Sequence, residues 1–378
     1  MKETYEHTAK SMTLARLKQM NYGGCSPINR TPVKLCLAIA YVISTGLTAL
    51  LMTLNVILNK HDTVGKFVED TVMLFGFAQI AAKYAMCVFK SSVLKNMLHI
   101  VWTEFWPLDI LVENKQKKEM LSAYRIIAIA SHMYKYIVIV AISGFIVQAI
   151  VKGNRGLIAD IWTPFGQTMK QSPYYELMFG FQLFMFPSAV HFSVIQIDML
   201  FIIIIGLVFV QFRMLKLKLF SINASSSDNS KLIRECVAHH DMLLRFLTQF
   251  EILYSELLLP AVGSSMLVCT VSMYAVVMEN EITRKLPFVF IYMAVYLQIF
   301  CYCYAGDLIQ DEGLSVGQVA YECDWSEIEN RDVKMGLIMI MIRSQRKINI
   351  TCGGFMILSM ENFSKVHKYI HILLLSPF

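Results

Sequence analysis

Apolar residues run in long blocks along this chain, and polar residues collect between them. Leu35 to Leu58 is broken only by Ser, Thr, Gly and Asn, and a run of about 20 such residues is enough to cross a bilayer as a helix. Comparable blocks lie near Phe67–Phe89, Ile126–Val151, Leu177–Phe212, Leu257–Val277 and Leu286–Ala305. The pattern therefore predicts six spanning helices before position 306. The fourth is longer than a bilayer requires and is expected to project beyond one face. A seventh must lie after Lys334, where hydropathy alone is ambiguous: Met335–Ile342 is apolar but too short to span, and R-S-Q-R-K at 343–347 interrupts it.

The segments between blocks carry patterns of their own. After S-S-S-D-N-S at 225–230, a helix-start signal, Leu232, Cys236, Leu243, Leu247 and Phe250 recur at helical spacing. This predicts an amphipathic helix packed on partner helices. Adjacent His239 and His240 would point about 100° apart on it, which fits a surface pair better than a metal site. From Ile348 onward, Glu361, Ser364, Lys365 and Lys368 share one helical face, and Phe363, Val366, Ile370 and Leu374 share the other. A crossing helix with such a face should line water or a subunit interface. A helix lying on the membrane surface is the competing reading.

Composition supports a polytopic membrane protein. Of 378 residues 56% are hydrophobic and 16% charged, against about 25% charged in soluble domains, and mean hydropathy is +0.51. The net charge of +6 is modest and gives no reason to invoke nucleic acid. Its distribution is more telling. Eighteen Lys and Arg fall in the N-terminal segment and the loops after the second and fourth helices, and seven fall in the alternate loops. Positive charge marks the cytoplasmic side, so the N-terminus is expected inside and, after seven crossings, the C-terminus outside. The nine cysteines show no zinc-type spacing with histidine and read as single buried thiols. No cleavable signal peptide, paired nucleophile or cofactor motif is evident, so no enzyme, metal or cofactor is expected.

Charges at membrane depth are costly and usually satisfied by protein or water. Lys83 and Lys135 suit snorkelling or a structural ion pair, and Asp198 a satisfied contact inside the bundle. The opposite halves of the helices instead collect aromatic, small and sparse polar residues. Phe75, Ser143, Gly144, Phe184, His191, Tyr292 and Tyr296 are the candidates for an apolar pocket with few polar anchors, the usual form of a small-molecule site.

The C-terminal third carries a resemblance. Y-C-Y-A-G-D-L at 302–308, L-S-V-G-Q-V-A-Y at 314–321, Trp325, R-S-Q-R-K at 343–347, T-C-G-G-F at 351–355 and L-S-M-E-N-F at 358–363 together resemble the C-terminal signature of insect odorant receptors. D-M-L-F at 198–201, with Gln211, Phe212 and Leu215, is similar to that family's fourth-helix pattern. Lys347 departs from the proline usual there, and K-Y-I-H-I-L-L-L-S-P-F at 368–378 departs from the family's closing run, so the gate is not carried over. A divergent gate and a shortened end both fit that departure.

The resemblance implies an all-α membrane protein of seven transmembrane helices acting as an odorant-gated, non-selective cation channel subunit. It would be the odorant-specific subunit, in a heterotetramer with the odorant-receptor coreceptor, in the plasma membrane of olfactory neurons. The implied division is a cytoplasmic segment (1–34), a six-helix bundle with the pocket (35–306, with cytoplasmic extensions over 213–256), a cytoplasmic anchor helix (307–346) and a pore-lining last helix (347–378). Ser315, Val319, Tyr321, Trp325, Arg343 and Gln345 would belong to the subunit anchor, and Glu361, Ser364, Lys365 and Lys368 to the pore. A G-protein-coupled chemoreceptor is the alternative. It would need the reverse charge bias, and the chain lacks a D-R-Y after the third helix and an N-P-x-x-Y in the seventh. A non-conducting, truncated form of an odorant receptor is a further alternative.

Overall fold

Long helices follow directly from the long apolar blocks. The structure, a computed structural model, describes residues 3–375 except 29, 60–63, 112, 152–155, 164–170, 223–228, 324 and 326. In chain order the helices are α1 (Glu3–Tyr22), α2 (Pro32–Leu58), α3 (Val64–Phe89), α4 (Ser91–Thr103), α5 (Asn114–Val151), α6 (Tyr174–Ala189), α7 (Gln196–Phe220), α8 (Asn229–Met278), α9 (Ile282–Glu322), α10 (Arg331–Ser344) and α11 (Met360–Leu375). Among the described residues six helical stretches are long and apolar enough to cross a membrane: α2, α3, α5, α6–α7 together, α8 and α9. On α5, Ile126, Ile129, Met133, Tyr136, Val140, Val147 and Ile150 form an exposed apolar stripe, spaced as one helical face and suited to lipid.

The helices overshoot the bilayer on one side. With 38, 50 and 41 residues, α5, α8 and α9 are about 57, 75 and 62 Å long at 1.5 Å per residue, against a hydrocarbon core of about 30 Å. The excess lies on the side of the N-terminus. There α1 packs on α7, and Trp102 Nε1 of α4 donates to Thr13 Oγ1 at 2.9 Å. Buried side chains from α1, α4, α5 and α7–α11 make one large core on this side, and a second core fills the far half of the bundle.

Several boundaries differ from expectation, each for a local reason. The first 34 residues are not merely a polar lead: α1 buries Leu17 and Met20. The third, fourth and fifth helices start earlier or end later than their apolar blocks, because their polar ends pack outside the bilayer. The fourth also changes pitch. Pro187 has no N–H to continue the ladder, and a π-helical turn over Val190–Ile195 follows it. No break separates the sixth helix from the acidic segment at 306/307, since α9 runs on to Glu322. His239 and His240 are not a surface pair. Both are buried, and His239 stacks on Trp106 with ring centroids 3.7 Å apart.

T-C-G-G-F, which has no helical period, forms a short hairpin. Strand β1 (Thr351–Cys352) pairs antiparallel with β2 (Met356–Ile357). Gly353 and Gly354 turn it with φ of +60° and +73°, a region where a Cβ is penalised. The N–H of Gly353 donates to Ser255 O of α8 at 2.9 Å, which fixes the hairpin ahead of α11.

Candidate functional site

In the far half of the bundle, aromatic rings from four helices meet. Phe77 of α3 lies 4.8 Å from Phe186 of α6, and Phe145 of α5 stands edge-on to Phe288 of α9 at 6.2 Å. All four are buried, and Phe75 packs against the same cluster. Gly144 faces α9, where a Cβ would make ordinary contacts with Pro287 and Phe290 at 3.9 Å.

A polar rim closes the cluster from the far side. Gln182 Oε1 accepts from the N–H groups of Ile158 and Ala159 at 2.9 and 3.2 Å, while its Nε2 donates to Ala159 O at 2.7 Å. The N–H of Trp162 donates to Leu51 O at 3.1 Å. Lys66 pairs with Asp160 at 2.7 Å and with Asp70 at 3.3 Å.

The floor is a polar layer. Gln79 Nε2 donates to Gln298 Oε1 at 3.0 Å, as does Ser265 Oγ at 3.0 Å. Gln298 Nε2 in turn donates to Asp198 Oδ2 at 2.6 Å. That carboxylate also accepts from Lys83 Nζ at 2.6 and 2.9 Å, Tyr134 Oη at 2.6 Å and Tyr302 Oη at 2.7 Å. Lys83 is 0% and Asp198 2% exposed, so the charges satisfy each other and neither snorkels. Helices α3, α5, α7, α8 and α9 are thereby tied at one level. Lys83 lies 19 residues into α3, about 28 Å from its start at 1.5 Å per residue. That distance matches the roughly 30 Å of a hydrocarbon core, so the part of α3 above the layer is long enough to cross one.

Five of the seven predicted pocket residues divide between three places. Phe75 and Gly144 join the aromatic cluster. Tyr292 and Tyr296 stack on each other at 5.6 Å and turn toward α11, where Tyr296 Oη lies 3.2 Å from His367 Nδ1 and its ring 5.0 Å from that of Phe363. His191, in the π-helical turn, is half-buried with its Nε2 3.1 Å from Gln196 Nε2. Ser143 and Phe184 are not brought to the cluster: Ser143 is exposed with Oγ donating to Val140 O at 2.8 Å, and Phe184 is 71% exposed. Sequence reasoning missed the floor formed by Gln79, Ser264, Ser265 and Gln298. Two lone carboxamides inside apolar blocks were the available signal, by the same cost argument that singled out Asp198.

The last helix has two faces. Glu361, Ser364, Lys365 and Lys368 are exposed, with Lys365 Nζ 2.6 Å from Glu361 Oε1, while Phe363 and Ile370 are buried. Leu374 lies among residues whose side chains are not described. The backbone N–H of Met360 donates to Asp307 Oδ2 at 2.7 Å, which satisfies a first-turn donor of α11 and ties it to α9. Gly306 of α9 leaves room for the Leu358 carbonyl; a Cβ there would collide with that oxygen.

On the N-terminal side, Glu312 binds Lys216 and, at 3.4 Å, Arg213. Ser315 Oγ accepts from Lys216 Nζ at 2.9 Å, so Ser315 is engaged within the chain. Val319 is half-buried, whereas Tyr321, Trp325 and Gln345 are exposed. Arg343 reaches Asp241 at 3.6 Å. Beside them α10 exposes Met335, Ile338, Met339 and Ile342. A groove of about 810 Å³ between α8 and α10 is lined by Val237, Leu244 and Met339 and edged by Asp241 and Arg343. Among the described residues no disulfide forms, and seven of the nine cysteines are buried. Among the described residues no cluster of His, Cys, Asp and Glu is placed to hold a metal ion.

This is a seven-helix membrane fold with an aromatic volume in one half and a helical extension beyond the other. A family model described as 7tm Odorant receptor matches residues 63–370, and the chain belongs to that family. Odorant receptor 10 of Aedes albopictus is 22% identical over 227 residues, 59% of this chain and 60% of the relative. Odorant receptor 67c of Drosophila melanogaster is 25% identical over 210 residues, 54% of this chain and 51% of the relative. The matched stretches thus span little more than half the length of these relatives. The structure of the insect olfactory receptor OR5 from Machilis hrabei in complex with eugenol superposes with a TM-score of 0.82, covering 97% of each chain at 12% identity. At that identity the likeness speaks for the fold.

Proposed function

We propose that this chain is the odorant-binding subunit of a ligand-gated, non-selective cation channel, and neither an enzyme nor the coreceptor itself. The observation that carries this is Tyr296. It stacks on Tyr292 beside the aromatic half and touches His367 and Phe363 of the polar-faced last helix. A ligand lodged between α3, α5, α6 and α9 can therefore press on α11 through one side chain. The ligand would be small, apolar and semi-aromatic; eugenol, bound by the structural relative, has that character. Phe75, Gly144, His191, Tyr292 and Tyr296 form the proposed wall, with Ser143 and Phe184 at its lipid-facing edge.

In this reading the N-terminal side is the cytoplasm, as the loop charges indicate. The exposed face of Glu361, Ser364, Lys365 and Lys368 lines the ion path. The anchor is the region of Ser315, Val319, Tyr321, Trp325, Arg343 and Gln345. There the exposed Tyr321, Trp325 and apolar face of α10 suit contact with the coreceptor in a heterotetramer at the plasma membrane of olfactory neurons, since contiguous apolar surface outside a bilayer marks an interaction site. Ligand binding shifts the closed-to-open equilibrium only by its differential affinity for the open state.

The test is recording from cells expressing the chain with the coreceptor against a panel of volatiles. Ala or Trp at Ser143, His191 and Tyr296 should reorder the panel while surface assembly persists. Unchanged ranking in all three variants would refute the pocket assignment.

A further inference from the structure

Gly76 of α3 stands on a buried face with room in front of it. Val72, Gln79, Ile80 and Lys83 are all buried. They fall within about 100° of one another around the helix, with Gly76 in the middle of that arc. Gly76 is half-buried, yet a Cβ built there would meet no atom within 4 Å. The other glycines of the spanning helices with such room, Gly46, Gly180 and Gly263, are exposed. At Gly76 the open space therefore lies inside the bundle, one turn from Gln79 of the polar floor and next to Phe77 of the aromatic cluster.

A hydroxyl without a partner lies close by. Helices α3 and α8 run antiparallel in a register fixed by three contacts. Lys90 Nζ is 2.5 Å from Glu256 Oε2, Ser264 Oγ is 3.3 Å from Gln79 Oε1, and a Cβ at Gly65 would lie 3.9 Å from Glu279 Oε2. This register sets Gly76 level with Val268 and Ser272 level with Val72, one turn or about 6 Å farther from the floor. Val268 and Ala275, which flank Ser272 on its face of α8, are buried in the same core as Phe77, Phe145, Phe186 and Phe288. Ser272 is 0% exposed, and among the described residues its Oγ is the one buried serine or threonine hydroxyl that makes no hydrogen bond. Comparable side chains bond the preceding turn or a neighbouring helix: Thr45 donates to Tyr41 O at 2.8 Å, Thr48 to Ser44 O at 2.8 Å and Ser193 to Ile80 O at 2.9 Å. A buried hydroxyl left unpaired is costly, and a ligand that supplies the partner removes that cost.

We propose that Gly76 and Ser272 form an oxygen-recognising subsite between α3 and α8. Ser272 Oγ hydrogen-bonds an alcohol, phenol or carbonyl oxygen of the ligand, and the ligand's apolar body fills the space in front of Gly76. A hydrocarbon of the same shape leaves the hydroxyl unpaired, so the subsite discriminates by polar group and not by size. The inference rests on the small-molecule pocket proposed above and adds α8 to its walls.

Thermal shifts of the full-length chain in its assembled form in detergent, which do not depend on conduction, test it with matched probes. These are phenylethyl alcohol against propylbenzene and eugenol against allylbenzene. In the wild type each oxygenated probe should stabilise at concentrations about tenfold or more below its hydrocarbon counterpart, the effect of one hydrogen bond. S272A should remove that preference and leave the hydrocarbon shifts unchanged. Melting without probe should be unchanged or higher in S272A, since no bond within the chain is lost. G76L should abolish the shifts from both classes. Equal shifts by paired probes in the wild type, an S272A variant that keeps the oxygenated preference, or a G76L variant that responds as the wild type does would overturn the subsite and leave the pocket standing. No shift by any probe would overturn the pocket and the subsite with it.

Discussion

Replacing Asp198 with Asn keeps the shape of the side chain and removes its charge. Lys83, wholly buried, is then left without a counter-charge. Breaking a buried pair by removing one partner costs about 3–5 kcal/mol, much of it the stranded charge. The Asn amide also puts a donor where one carboxylate oxygen accepted from Lys83, Tyr134, Gln298 or Tyr302. Hydrogen bonds to a charged acceptor contribute about 1.5–3 kcal/mol each, but neighbours in one network do not add, so the lower figure stands as the estimate. At roughly 2 °C per kcal/mol for a large chain, D198N should lower the apparent melting temperature by on the order of 5–10 °C. Size-exclusion profiles after heating detergent-solubilised protein would measure it. K83M/D198N carries neither charge and keeps an acceptor for one of the two tyrosines, so it should recover much of the loss. D198N melting with the wild type, or a double variant no better than the single, would refute the claim that this pair ties the helices together.

Other expectations follow from single contacts. Q182A frees two backbone N–H groups and one carbonyl in the segment 158–159, at about 1 kcal/mol each, so amide exchange there should accelerate by tenfold or more; wild-type exchange rates would show that the rim is held by something else. Y296F retains the three ring contacts, to Tyr292, Phe363 and His367, and loses only the hydroxyl bond to His367, which should shift odorant half-activation by about fivefold, the equivalent of roughly 1 kcal/mol. If H367A adds to Y296F as an independent change, the two residues are not coupled. Burial pushes the Cys352 thiol up to about 11, so it stays protonated at neutral pH, and the thiolate is the reactive form. Iodoacetamide should leave it unmodified in native protein and modify it after denaturation, which peptide mass spectrometry would read.

Much of this architecture is legible in the residues. Apolar block length places the spans, and the 3.6-residue period correctly separates Glu361, Ser364, Lys365 and Lys368 from Phe363 and Ile370. The cost of intramembrane charge anticipates a partner for Asp198, but which helix supplies Lys83 depends on packing between segments 115 residues apart in the chain. Helix ends were least legible. Outside the bilayer the hydropathy signal ends while the helix goes on, as in α8 from Asn229 and α9 to Glu322. His239 looked like surface because a lone imidazole is polar; its burial depends on Trp106, from a distant loop, stacking flat on the ring. Phe184 shows the opposite limit: an aromatic residue in a spanning helix faces lipid as readily as protein, and periodicity alone does not choose between them.

The proposed channel is tested most directly in excised inside-out membrane patches carrying this chain and the coreceptor, with no nucleotide in the bath. The account predicts that an odorant in the pipette opens a cation conductance in that condition. It also predicts that charge reversal at Glu361 or Lys368 changes the unitary conductance without abolishing odorant sensitivity. A response that appears only when GTP is supplied, or odorant binding that never yields current, would contradict it.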